Sequence, residues 1–150
     1  MIEDEKWMRY AIKEANIAKD KGEVPVGSII IQNNQIIAKA HNRPIKNYDP
    51  TAHAEIEVLR KAGAILHNYR LPKTTLYVTL EPCTMCLGAM VHARIERVVF
   101  GASDPKSGVF GSTIDLSSES IFNHQILVSG GVLEYECKNT LQSFFKLRRK

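Results

Sequence analysis

The sequence predicts an α/β layered domain with helices on both faces of a sheet. Apolar residues recur at helical spacing near both ends of the chain, short β-rich runs lie between them, and helical and extended segments alternate. At 150 residues the chain fits one domain, residues 1–150, with enough material to bury a continuous core without disulfides.

From Glu5 to Lys21, the residues Met8, Ala11, Ile12, Ala15 and Ala18 form an apolar helical stripe, and Gly22 stops the run. VPVGSIIIQ and QIIAKAH follow as extended runs meeting at Asn33 and Asn34, which reads as a hairpin with a tight turn. NRPIKNYDPTA, residues 42–52, has prolines and no periodicity and reads as a polar loop. A second helix is expected to start near Thr51 or Ala52, with Thr51 as its N-cap and Gly63 near its end. TTLYVTL reads as a buried strand, EPCTMCLGAMVHAR as the entrance to a third helix behind Pro82, and RVVFGA as another short strand. SDPKSGVFGST is a Gly-rich loop and QILVSGG a last strand. In VLEYECKNTLQSFFKLRRK, the apolar side of a closing helix carries Leu133, Cys137, Leu141 and Phe144 or Phe145.

With 44% hydrophobic and 24% charged residues, the composition is that of a globular protein, and no apolar run reaches the roughly 18 residues that cross a bilayer. The opening MIEDEKWMRY is charged and lacks the apolar stretch of a secretory signal, so a cytoplasmic location is expected. Three cysteines, an odd number, do not make a disulfide framework and leave thiols free for metal or chemistry. The net charge of +4 is matched by the four basic groups of the terminal KLRRK. The excess therefore sits on a C-terminal tag, suited either to a polyanionic partner or to the negative end of a helix dipole.

Cys83 and Cys86, three positions apart at a helix entrance, can share one ion, and the unpaired amides there favour thiolates. His53, at the start of the second helix, supplies an imidazole. Two thiolates and one imidazole make a three-donor set, which in a catalytic zinc site leaves the fourth position open. Cys137 falls on the apolar stripe of the closing helix and reads as a small hydrophobe, although a closed structural site would recruit it as fourth ligand. His41, His67 and His92 are isolated and read as packing or surface residues, whereas His124 stands out only by following Asn123 beside a polar loop.

Glu55 is two positions after His53, a rotation of about 200° on a helix. Both side chains reach one ion only if the site lies off the helix N-terminus, and Glu55 is then placed as a base beside the metal. An ion neutralised by two thiolates acidifies water less than one held by three histidines, which makes such a carboxylate useful.

HAE at 53–55 and PCTMC at 82–86 together resemble the signature of the zinc-dependent nucleobase deaminases, the cytidine/deoxycytidylate deaminase superfamily. GEVPVGSIII, AHNRPI, DPTAHAEI, NYRL, TLYVTLEPCTMCLGAM, RVVFGASDPKSG, NH and FFKLRRK extend the likeness along nearly the whole chain to the bacterial tRNA-specific adenosine deaminases. That resemblance implies a three-layer α/β/α cytidine deaminase-like fold with a five-stranded mixed sheet, a homodimer, and one Zn²⁺ per subunit on His53, Cys83 and Cys86. It implies hydrolytic deamination of adenosine to inosine at the wobble position of a tRNA anticodon stem-loop, by zinc-activated water with Glu55 as proton shuttle. It places Asn42 and Ala54 at the flipped purine, and Asp104, Lys106, Asn123, His124, Phe145 and Arg149 at the anticodon loop. Val109 and Phe110 stand where this family is expected to carry small residues. Two rivals use the same residues differently: deamination of a free base or nucleoside, for which the basic tail has no purpose, and a nucleic-acid-binding module with a closed zinc site.

Overall fold

The computed structural model describes residues 2–148. Helix α1 (Ile2–Asp20) starts earlier than the apolar stripe indicates, because Glu3, Asp4 and Glu5 place negative charge at the positive end of its dipole. Strands β1 (Gly27–Gln32) and β2 (Gln35–His41) form the expected hairpin. Asn33 and Asn34 take φ of 52° and 59°, the left-handed pair of a two-residue turn that matches strand twist. Helix α2 (Ala54–Leu66), strand β3 (Thr75–Leu80), helix α3 (Thr84–Ala93), strands β4 (Arg97–Ala102) and β5 (Leu127–Ser129), and helix α4 (Glu134–Arg148) complete the chain.

The bounds of α2 differ from expectation for local reasons. Thr51 does not cap it, since its hydroxyl and amide both bond to Asp49 Oδ1, at 2.7 and 2.9 Å. His53 is the N-cap instead, and Gly63 lies inside the helix, which ends where His67 turns left-handed at φ 52°.

The sheet is mixed, in the order β2-β1-β3-β4-β5. The pairs β2–β1 and β1–β3 are antiparallel, whereas β3–β4 and β4–β5 are parallel. Successive residues alternate between its faces. Ile29, Ile31, Tyr77 and Val99 pack with Trp7, Met8 and Ala11 of α1 and Cys137 of α4. Ile30, Leu76, Val78, Val98 and Phe100 pack on the other face with Ala54, Val58, Cys86, Leu87 and Met90 of α2 and α3. This is the three-layer α/β/α arrangement.

Glycine is required where α1 crosses β1, because a Cβ on Gly27 would overlap the Ala11 carbonyl oxygen and the Ala15 nitrogen. The start of α1 is fixed by Asp4, whose carboxylate takes a bidentate pair from Arg97 at 2.9 and 2.7 Å and the Tyr77 hydroxyl at 2.7 Å.

Candidate active site

Two antiparallel steps separate β2 from β3, so these strands run the same way, and β4 is parallel to β3. The segments that follow all three therefore leave from one edge of the sheet. That edge receives the start of α2, the start of α3 and the loop beginning at Ser103, the position where ligands bind in open α/β sheets.

His53 and Cys83 are the extended N-cap residues of α2 and α3, and neither caps its own helix with its side chain. Their side chains turn to each other instead. His53 Nδ1 lies 3.7 Å from Cys83 Sγ and 3.5 Å from Cys86 Sγ, and the three donor atoms all lie within 4.8 Å of one another. A tetrahedral ion bound at about 2.0 Å to nitrogen and 2.3 Å to sulfur sets its donors about 3.5–3.8 Å apart, so this group fits a metal ion. The protonation pattern agrees. Hydrogen bonding from Cys86 holds the Cys83 thiol down at about 4, with His53 also lowering it, while the bond to Cys83 and burial push Cys86 well up. The bond to Cys83 raises His53. Cys83 is thus a thiolate near neutral pH, and Cys86 holds a proton that a divalent cation would displace, aided by the positive ends of two helices.

Glu55 is in the first turn of α2 and only 4% exposed. Because His53 precedes the helix in extended backbone, the two side chains converge on the same space despite their two-residue spacing. Burial pushes the Glu55 carboxyl up to about 7. A carboxyl in that range can both take and give a proton near neutrality.

A cavity of about 270 Å³ opens beside these groups, lined by His53, Glu55 and Cys83 together with Asn42, Glu81 and Asp104, over apolar walls from Val24, Val26 and Leu80. Asn42 is buried, and its Oδ1 accepts the Ala54 amide at 2.8 Å. Next to it, a cavity of about 350 Å³ shares Val24, Asn42 and Pro44 and is bounded by Phe144, Phe145 and Arg148 of α4. The end of α4 is pinned there by Arg148, which donates to the Gly22 carbonyl and covers the Phe144 ring at 4.9 Å.

Of the RNA-facing candidates, Asp104 and Phe145 line these two cavities and Lys106 stands exposed on the intervening loop. Asn123 and His124 are elsewhere. Asn123 Oδ1 accepts from Arg94 at 3.3 Å and His124 Nε2 donates to the Ile95 carbonyl at 2.7 Å, which places both at the C-terminal end of α3, about 15 Å of helix away from Cys83. Arg149 lies outside the described residues.

Val109 and Phe110 have packing roles. Val109 is 1% exposed in the core, and Phe110 stacks on Phe100 at 6.2 Å. Cys137 is also buried, against Gly101 on the α1/α4 face, across the sheet from the metal group, and burial pushes its thiol up to about 12. It cannot close the metal site. His41 is buried with Nδ1 3.3 Å from Glu14, whereas His67 and His92 are exposed.

The residue that sequence reasoning missed is Glu81. It is 3% exposed, lines the metal cavity, and binds the Gly-rich loop; its only sequence signal is an acidic residue at a strand end directly before Pro82.

The family model of the MafB19-like deaminases matches residues 2–149. The tRNA-specific adenosine deaminase of Bacillus subtilis strain 168 is 51% identical over 150 residues, covering 100% of this chain and 93% of that protein. The tRNA-specific adenosine deaminase of Haemophilus influenzae is 49% identical over 148 residues, covering 98% of this chain and 86% of that one. A solved structure from a study of A-to-I editing by tRNA:A34 deaminases at the wobble position of transfer RNA superposes with a TM-score of 0.88 at 42% identity, over 91% of this chain and 99% of that chain.

Proposed function

The chain belongs to the tRNA-specific adenosine deaminases, and we propose that it hydrolyses the 6-amino group of the adenosine at the wobble position of a tRNA anticodon, leaving inosine and releasing ammonia. The observation that carries this reading is the convergence of His53, Cys83 and Cys86 with buried Glu55 on a cavity that Asn42 also lines.

His53, Cys83 and Cys86 are the residues that would hold the metal, and one imidazole with two thiolates is a zinc donor set with one position left for catalysis. When bound, Zn²⁺ supplies Lewis acidity that makes water a usable nucleophile near neutral pH. The Glu55 carboxylate is placed to take one proton from the attacking water and deliver it to N1 of the purine, and then to carry the second, from the new hydroxyl on C6, to the amino group as the C6–N bond breaks. Water and adenosine thereby balance inosine and ammonia. The Asn42 amide, held by its bond to the Ala54 amide, presents its free NH₂ to the base, and the walls of Val24 and Val26 exclude solvent from it.

The substrate is an anticodon loop, whose unstacked bases can be turned out at small cost. Asp104 and Lys106 on one side and Phe145 on the other are the flanking contacts, with Arg149 and the other KLRRK cations meeting phosphates. The active form is a homodimer in the cytoplasm. Supporting the dimer is an apolar groove of about 950 Å³ between α2 and α3, lined by Ile56, Leu59, Leu71 and Ala89 together with exposed Tyr69.

The test is to incubate zinc-loaded protein with an anticodon stem-loop bearing adenosine at the wobble position and to score inosine by mass spectrometry, with free adenosine, cytidine and guanine alongside. Inosine from the stem-loop alone is expected. Turnover of a free base or nucleoside without the stem-loop would overturn the substrate assignment.

A further inference from the structure

We propose that Glu81 is a positioning residue for RNA recognition, its carboxylate tying together both ends of the loop that presents Asp104 and Lys106; this rests on the reading of the cavity as an anticodon-loop site. Glu81 follows β3, two positions before Cys83, and is 3% exposed. Among the described residues no cation pairs with it. Its partners are instead the loop itself. Oε1 accepts the Asp104 amide at 3.0 Å and the Ser112 hydroxyl, and Oε2 accepts the Phe110 amide at 2.8 Å and the Ser112 amide at 3.3 Å.

A buried carboxylate without a counter-ion is expensive unless donors surround it, and here all four donors come from one segment, residues 104–112. The first is at the segment's start and the others are at its end, so the carboxylate closes the segment as a staple. The middle is fitted to the same group: a Cβ on Gly108 would overlap the Glu81 carboxyl carbon and oxygens. Two further ties hold the shape. Val109 donates to the Pro82 carbonyl at 3.1 Å, and Asp104 Oδ1 accepts the Lys106 and Ser107 amides at 3.0 and 3.2 Å. One oxygen of Asp104 is thus committed to the turn that exposes Lys106. The loop meets the cavity through Asp104 and Ser107, on the same side as Glu81 and Cys83. The placement of the flanking-nucleotide contacts relative to the reacting base is therefore set by Glu81.

Glu81→Gln keeps the shape but turns part of the acceptor into an NH₂ donor facing amide donors. With loop contacts loosened, KM for the stem-loop is expected to rise about tenfold, the loss of one charge-assisted hydrogen bond's worth of order, while kcat stays within about threefold. Metal content is expected to remain at one per chain, and hydrogen exchange at the Asp104, Phe110 and Ser112 amides to accelerate. Gly108→Ala, which displaces the carboxylate without removing its charge, is expected to raise KM in the same way, and Ser112→Ala to raise it less. If Glu81→Gln does not fold, the other two variants decide.

An unchanged KM in the folded variants beside a normally active wild type overturns the role of Glu81. A loss confined to kcat and accompanied by loss of metal also overturns it, making Glu81 a support for Cys83. A wild type inactive on the stem-loop overturns the function itself.

Discussion

The Oδ1 atom of Asn42 caps helix α2 by accepting the Ala54 amide at 2.8 Å, a task that the N-cap residue His53 leaves undone because its ring is turned to the cysteines. One residue thus joins the end of β2 to the helix start that carries both His53 and Glu55. Asn42→Ala should cost about 1–2 kcal/mol, the worth of a lost cap, and lower Tm by about 2–8 °C. Asn42→Asp retains the acceptor and should hold Tm near wild type while losing the NH₂ offered to the purine. Thermal melts beside stem-loop deamination separate the two roles.

Glu55→Ala should keep its metal and lose at least about 100-fold in single-turnover deamination, the low end of what a positioned acid–base group contributes. Inosine scored by mass spectrometry at matched zinc content is the measurement. Near-normal turnover would remove Glu55 from the proton path.

Metal retention should follow the sheet face. Cys83→Ser and Cys86→Ser are expected to lose bound zinc on dialysis, whereas Cys137→Ser, on the opposite face against Gly101, should retain one ion per chain. Elemental analysis reads this directly, and zinc lost from the Cys137 variant would restore the closed, structural site.

Acid stability should report the Asp4–Arg97 pair. The Arg97 guanidinium holds the Asp4 carboxyl below its ordinary value of 3.8, against a smaller opposing effect of burial. The folded chain then binds this proton less readily than the unfolded one, so the stabilisation is complete above the unfolded value and disappears as pH falls through the lower folded value. Asp4→Asn should cost about 1–3 kcal/mol at neutral pH, with the Tm gap to wild type constant there and closing in acid.

The C-terminal cations should appear in the salt dependence of RNA binding. Truncation after Phe145 removes four of them, together with the Arg148 tie to Gly22. Stem-loop affinity at low salt should fall, and the slope of log K against log salt should become shallower by up to about 3, at about 0.7 per phosphate contact on a single strand. Fluorescence anisotropy across a salt series measures both, and an unchanged slope would leave the tail a solvated helix end.

Much of this protein is written locally. The hairpin turn at Asn33 and Asn34, the stripe of Met8, Ala11 and Ala15, and the alternation of Ile29 and Ile30 between faces follow from backbone sterics and periodicity within a few residues. The donor types at His53, Cys83 and Cys86 were legible too, since metal chemistry restricts which side chains can serve. Helix bounds were less so: Thr51 looks like an N-cap, but Asp49 takes its hydroxyl, and the cap of α2 comes from Asn42, a residue 12 positions upstream.

What tertiary structure alone decided is adjacency across long stretches of chain. Two antiparallel steps and one parallel step put the ends of β2, β3 and β4 at one edge, and only that topology brings residue 53 to residue 83 and residue 81 to the loop at 104–112. The same topology sends Asn123 and His124 to the far end of α3 and Cys137 to the other face. Sequence spacing cannot report such distances, because they depend on strand order and direction, which the burial of the whole sheet settles at once.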